Sequence, residues 1–306
     1  MKDHTLLCAT RLGADPCDCG AGPKRLPVLN AASHAASTAF CLAEVVNPDD
    51  PGRSLWVDGN VKITRGGGTY AAPVPNAFSL VQVDDCPYST PTCRDGCYVH
   101  NLEAAAKATH DRYRANSALV REVLAPGADM FLSTSWALAL ARWVRASTPT
   151  FRWHVSGDLW SNAYASWVAS VIEVTPKVDH WIYTRSFRFV SHLGGLPNVS
   201  VNLSADQDNY RAAVKELDAW DATVLRKRMR IAYYTRTGSV PSDLPEDSVI
   251  FPDYSLRGAK GGDPADQRAD SAWWQSLTGD QRRMVCPVDF YGAAEDRRCG
   301  PCGRCL

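Results

Sequence analysis

The sequence predicts an α/β fold on a parallel sheet, of the partial or irregular β/α-barrel kind, followed by a cysteine-rich C-terminal tail. Three observations lead there. From about residue 77, short apolar runs alternate with longer stretches of helical periodicity. Polar side chains gather just after the apolar runs, where parallel α/β folds place their binding groups. The chain has 306 residues and is 45% apolar, enough to bury one large α/β core.

Residues 1 to 76 are rich in Gly, Pro, Asn and Asp and read as an irregular N-terminal region, with a helix candidate from Ala31 to Ala43. Arg65 to Thr69, with three consecutive glycines, reads as a flexible turn; no helix opens behind it, as a phosphate-binding loop requires. Ala77 to Val83 is the first core strand, followed by a cysteine-bearing loop and a helix from Asn101 to Leu124. Asp129 to Leu132 reads as a strand ahead of a helix through Trp136 and Trp143. Phe151 to Val155 is a strand, and the helix behind it carries Tyr164, Trp167, Val168, Val171 and Ile172 on one face. His180–Tyr183, Val199–Leu203, Arg230–Tyr234 and Val249–Phe251 are further strands, with a helix from Tyr210 to Trp220 among them. The core is thus expected over 77–256. The segment 257–306, with a short helix around Trp273 and Trp274, is expected to be a cysteine-rich cluster-binding tail.

Thirty-three basic and 33 acidic side chains balance, so there is no bulk attraction to nucleic acid or anionic lipid. The N-terminus lacks a signal-peptide pattern and no apolar run reaches 18 residues, so a cytoplasmic protein without a membrane segment is expected. Eleven cysteines in a reducing compartment, an odd number, argue against a disulfide framework and for metal ligation. The tail reads C-x12-C-x2-C-x2-C through Cys286, Cys299, Cys302 and Cys305, with Gly300 and Gly303 permitting tight turns. Such a run suits an iron–sulfur cluster, so one or two 4Fe-4S centres are expected across the tail and the central knot, with tetrahedral zinc as the alternative. A central knot holds Cys86, Cys93 and Cys97, with His100 three residues further on. Cys8, Cys17, Cys19 and Cys41 are not assigned as ligands, Cys41 being read as core.

The knot resembles the loop of the radical S-adenosylmethionine enzymes, whose C-x3-C-x2-C lies after the first barrel strand and leaves one iron open for that cofactor. Here His100 stands at the third position, so S-adenosylmethionine use is in doubt while a cluster is not. A second resemblance runs through Asp58-Gly59-Asn60-x-Lys62, Cys93-x3-Cys97-Tyr98, the Phe151–Asp158 segment, Tyr183–Ser186, Leu196–Val199 and the cysteine tail. Together these are similar to the phage-borne gene product 88 family. That resemblance implies a phage or prophage origin and supports cysteine ligation, but it supplies no reaction.

Outside the cysteines, His154 and Ser156 alternate onto one strand face, and Gly157 then lets the chain turn to Asp158. His154 is the candidate acid/base, Asp158 the candidate holder of a cationic or hydroxyl group, and Arg185 the candidate bidentate carboxylate or phosphate ligand. Ser156, Gly157 and Ser204, at strand ends, are the candidate cofactor-binding residues; the first two are similar to a strand end that binds the amino group of S-adenosylmethionine. Arg226–Arg230 is a basic run that can meet nucleic acid or simply be solvated. The expectation is an iron–sulfur redox or radical enzyme acting on a nucleotide, a nucleic acid or a small metabolite. The alternative is a zinc- or cluster-stabilised binding protein that engages DNA or a host factor.

Overall fold

The computed structural model describes residues 42–58, 76–97, 99–100, 107–220, 223, 225–256, 271–286 and 305. The Arg65–Thr69 turn and the cysteines at 8, 17, 19, 41, 299 and 302 lie outside them.

Eight strands form one sheet in chain order: β1 (Leu42–Val46), β2 (Ser54–Asp58), β3 (Ala77–Phe78), β4 (Thr150–Trp153), β5 (Asp179–Thr184), β6 (Val199–Ala205), β7 (Met229–Thr235) and β8 (Val249–Pro252). The first two joints are antiparallel and the five from β3 to β8 are parallel. The helices are α1 (Pro91–Asp95), α2 (Lys107–Val123), α3 (Met130–Ser147), α4 (Asn162–Glu173), α5 (Tyr210–Ala219), α6 (Ala272–Ser276) and α7 (Gly279–Met284). Sequential strand order with right-handed crossovers sends the connecting helices to one side of the sheet. The main core agrees: Phe151, Trp153, Ile182, Val199, Val201, Leu203, Ile231 and Ile250, all of one strand face, pack with Trp136, Leu140, Tyr164, Val168 and Leu217 of the helices.

The opposite face is polar by comparison. Reading the register, it presents Arg152, Trp181, Tyr183, Ser200, Asn202, Ser204, Arg230, Tyr234, Val249 and Phe251. Two intervening strands separate β5 from β8, so a flat sheet would hold them roughly 14 Å apart at its normal strand spacing. The Tyr183 and Phe251 rings nonetheless meet at 6.0 Å between centroids, so the sheet curls around this face. It stays open: β8 has as its outer neighbour the single bridge Ile250–Val285, and β1 and β8 do not pair among the described residues.

Several boundaries differ from those the sequence suggests. Residues 42–58 are a strand pair of the main sheet, not irregular structure, and Leu42 and Ala43 are in β1, not in a helix. Asp129–Leu132 is no strand. Asp129 caps α3 by accepting from the Phe131 N–H, so the run Ser133–Ser135 belongs to a helix and to no strand end. Met130 and Phe131 open that helix facing solvent, 79% and 66% exposed, which explains how an apolar run there escapes burial. Strand β3 covers Ala77–Phe78 and not the whole run to Val83, where the chain turns with a φ of +66°. The cap of α4 is Ser161, as the sequence suggests. Among the described residues no helix is long and apolar enough to cross a membrane.

Two histidines are buried in this core. His180 Nδ1 accepts from the Trp153 indole N–H at 3.2 Å, which fixes the remaining proton on Nε2, 2.8 Å from the Thr175 hydroxyl. Burial lowers the pKa of both His180 and His154 to about 3. A folded-state pKa below the unfolded one means that the unfolded chain binds more protons, so stability falls as pH drops from about 6.5 toward 3. For His180→Gln, the loss of unfolding free energy between pH 6.5 and pH 4 should shrink by up to about 3 kcal/mol relative to the parent. Denaturant titrations at the two pH values measure it; an unchanged difference would contradict a neutral, buried imidazole.

Candidate functional site

The cysteine loop between β3 and α2 lies across the carboxyl ends of the parallel strands, and polar contacts tie it to the ends of β4, β6 and β7. After β4, the Asp158 N–H donates to the Asp85 carbonyl at 2.7 Å. After β6, the Asp206 carboxylate accepts from the Thr90 hydroxyl at 2.5 Å, and Asp208 accepts from the Thr92 N–H at 3.1 Å. After β7, Arg236 pairs with Asp95 at 3.0 Å. At the end of β5, Arg185 reaches the same Asp206 oxygen as Thr90 does, at 2.7 Å. Gly96 is required here: a Cβ on it would come within 2.2 Å of the Tyr234 hydroxyl, which itself donates to Asp253 at 2.6 Å.

This loop brings Cys86, Cys93 and Cys97 within electrostatic reach of one another, all half-buried and none in a disulfide. Burial first, then the neighbouring Asp158 carboxylate, pushes the Cys86 thiol up to about 12. Burial also raises Cys93, opposed by the Arg185 guanidinium beside it. Cys97 Sγ donates to Gln82 Oε1 at 3.4 Å, and the Gln82 amide nitrogen is 3.0 Å from His100 Nδ1, so Gln82 joins the third thiol to the exposed histidine. Among the described residues, no three His, Cys, Asp or Glu side chains are already spaced as a metal-holding group.

The candidate catalytic residues His154, Asp158 and Arg185 fall in two places, His154 in the helix layer and the other two at the strand ends. Strand β4 ends at Trp153, and His154 takes a left-handed φ of +62°, which breaks the alternation that would have carried it and Ser156 onto one strand face. His154 instead points into the helix layer, with Nε2 2.7 Å from the Tyr164 hydroxyl of α4. Gly157 has φ +82°, and a Cβ on it would lie 2.6 Å from that of Leu80, so the turn to Asp158 admits no side chain. Ser156 is buried, with its carbonyl accepting from the Leu80 N–H. Asp158 is committed to the protein: it accepts from the Leu159 N–H, the Thr184 hydroxyl at 2.6 Å and the Arg185 N–H at 2.8 Å. It is a positioning residue that fixes the backbone presenting Arg185. Ser204 lies on the polar sheet face, half-buried, its carbonyl accepting from the Asn209 side-chain amide at 3.1 Å.

The tail cysteines that are described, Cys286 and Cys305, are buried against Trp181 and Val249 on the polar sheet face. The Cys286 N–H donates to the Ile250 carbonyl at 2.8 Å, and the Cys305 carbonyl accepts from the Asn202 amide at 3.2 Å. Asn202 precedes Asp206 by four residues, about 13 Å along an extended strand. The tail pair and the loop trio are therefore held at different heights on the sheet. In the basic run, Arg226 pairs with Asp247 and Arg228 with Asp179, so these two serve local ion pairs.

Residue types and spacing did not reveal the roles of Gln82 or Tyr234, which lie in no motif, and Asp58 stood out as part of the family resemblance alone. Asp58 is fully buried, takes hydrogen bonds from Tyr113 at 2.8 Å and Ser79 at 3.1 Å, and has its pKa raised to about 6 by burial. Asp206→Asn should cost about 3 kcal/mol, because it leaves Arg185 buried without its counter-charge. It should also speed the reaction of Cys93 with an aromatic disulfide reagent at least tenfold; an unchanged rate in the folded variant would show that Asp206 does not hold the loop.

A model of the gene product 88 family matches residues 54–306. No curated protein and no solved structure matches the chain. The likeness to radical S-adenosylmethionine enzymes therefore gains nothing from these comparisons. The family match takes in seven of the eight strands, the cysteine loop and the tail, and the chain belongs to the gene product 88 family.

Proposed function

We propose that the loop thiols Cys86, Cys93 and Cys97 ligate an iron–sulfur cluster, and that the protein is a redox enzyme whose substrate binds beside it at the carboxyl ends of the strands. The observation that carries this reading is the gathering of three free thiols next to the Arg185–Asp206 pair, on the edge where parallel α/β folds conduct their chemistry. The donor set fits. Soft thiolates are the ligands iron–sulfur clusters take, and a cation among them reverses the burial that otherwise keeps Cys86 and Cys93 protonated. Gln82 and His100 adjoin Cys97 and can complete or orient the set. Such a cluster supplies one-electron transfer. Arg185, fixed by Asp158 and Asp206, keeps a side chain 11% exposed beside Cys93 and is the group to steer an anionic substrate toward it.

The substrate classes remain those of the sequence: a nucleotide, a nucleic acid or a small metabolite. Protein purified without oxygen should be brown, absorb broadly near the visible–ultraviolet boundary, and contain iron and sulfide in similar amounts. Colourless protein with stoichiometric zinc would contradict the redox reading and favour a zinc-stabilised binding protein.

A further inference from the structure

The polar face of the curled sheet carries a cationic hollow that the thiol centre does not use. The register sets six side chains there in two adjoining rows: Arg152, Trp181 and Ser200, then Tyr183, Asn202 and Arg230. Neighbours across the strands are about 4.8 Å apart and rows about 6.6 Å apart, so Ser200 has Trp181 beside it and Arg230 diagonally across one strand gap. The interior of a β/α sheet at this position is normally filled by branched apolar residues. Here two arginines face one another across Tyr183 and Asn202, and Arg152 lies over the Tyr183 ring at 5.0 Å.

Donors outnumber acceptors among the unmet groups of the patch, where Asn202 Oδ1 is the one acceptor so placed among the described residues. The Ser200 hydroxyl and the Trp181 indole N–H are buried with no hydrogen-bond partner among the described residues, and so is Arg230 Nε. Arg230 makes no ion pair with any described carboxylate, unlike Arg226 and Arg228 just before it. Burying an arginine head beside two further unmet donors is costly unless something with acceptor atoms and negative charge joins them. Arg152, Tyr183 and Arg230 are half-buried at the rim, while Ser200 and Trp181 are buried beneath, Trp181 against Cys286 and Cys305.

We infer that this hollow binds an oxyanion, the phosphate or carboxylate group of a small ligand, held by the Arg230 guanidinium, the Ser200 hydroxyl and the Trp181 indole N–H. A planar guanidinium with hydroxyl and N–H donors on one side matches such a group in geometry and in charge. The Asn202 amide already donates to the Ile182 and Cys305 carbonyls and helps shape the wall. The inference does not rest on the thiol-centre reading, because anion binding is measured directly on the whole protein whether or not it holds metal.

Calorimetric titration of the intact protein with inorganic phosphate, and separately with acetate, tests it. Saturable binding of one or both is expected, and the stronger of the two identifies the source of the oxyanion. Arg230→Gln should weaken that binding at least tenfold, while Arg211→Gln, at an exposed ion pair on α5, should leave it unchanged. Ser200→Ala, a near-isosteric change, should weaken it several-fold and serves where Arg230→Gln does not fold. Absence of saturable binding of either anion, or equal affinity in the parent and in the folded variants, would overturn the site.

Discussion

One carboxylate joins the cysteine loop to the sheet. Asp206, at the end of β6, accepts from Thr90 at the start of α1 and from Arg185 at the end of β5, and its own neighbour Asp208 takes the Thr92 N–H. The position of Cys93, one turn into α1, follows from that node, because Thr90 is also the cap of the helix. The carboxylate is fully buried, so its bonds are formed away from water and are worth more than surface pairs would be. Asp158 provides a second hold, since its oxygens fix the backbone of Arg185 and its N–H holds Asp85, beside Cys86. The loop is thereby held in a chemically specific place by groups from successive strand ends.

The sheet explains why those strand ends converge. Six strands run parallel in chain order, and their apolar face is covered by the helices that connect them. The other face curls inward, which brings β5 and β8 together across two intervening strands. Curling places the loop trio of cysteines at one height and the described tail pair, against Trp181 and Val249, at another. Arg152, Tyr183, Asn202 and Arg230 lie on this face beside the tail pair. The polar interior is the part of this architecture that packing alone does not call for.

Much of the fold was legible because its signals are local. Strands β4 to β8 are short apolar runs bounded by turn residues, and α4 and α5 show helical periodicity, so their existence follows from the pattern alone. The failures have physical causes. Met130 and Phe131 look like strand residues but are the exposed first turn of α3, where the Asp129 cap decides the matter. His154 was expected to face a substrate, and a left-handed backbone angle turned it into the helix layer, a change no periodicity reports. Arg230 reads as one more charge in a basic run; only the register shows that it alone of that run faces inward on the sheet. The cysteine spacing singled out Cys86, Cys93 and Cys97, which one loop carries, but the node at Asp206 joins residues 116 positions apart and had no local signature.

The central claim is that a sulfur-liganded iron centre belongs to the loop at the strand ends. X-ray absorption at the iron edge, with iron counted per chain, tests it most directly when the anaerobically prepared parent is compared with a variant carrying Cys86→Ala, Cys93→Ala and Cys97→Ala. The variant should remain folded and lose one centre's share of iron together with its sulfur coordination. Iron content and sulfur coordination equal to those of the parent would contradict the assignment.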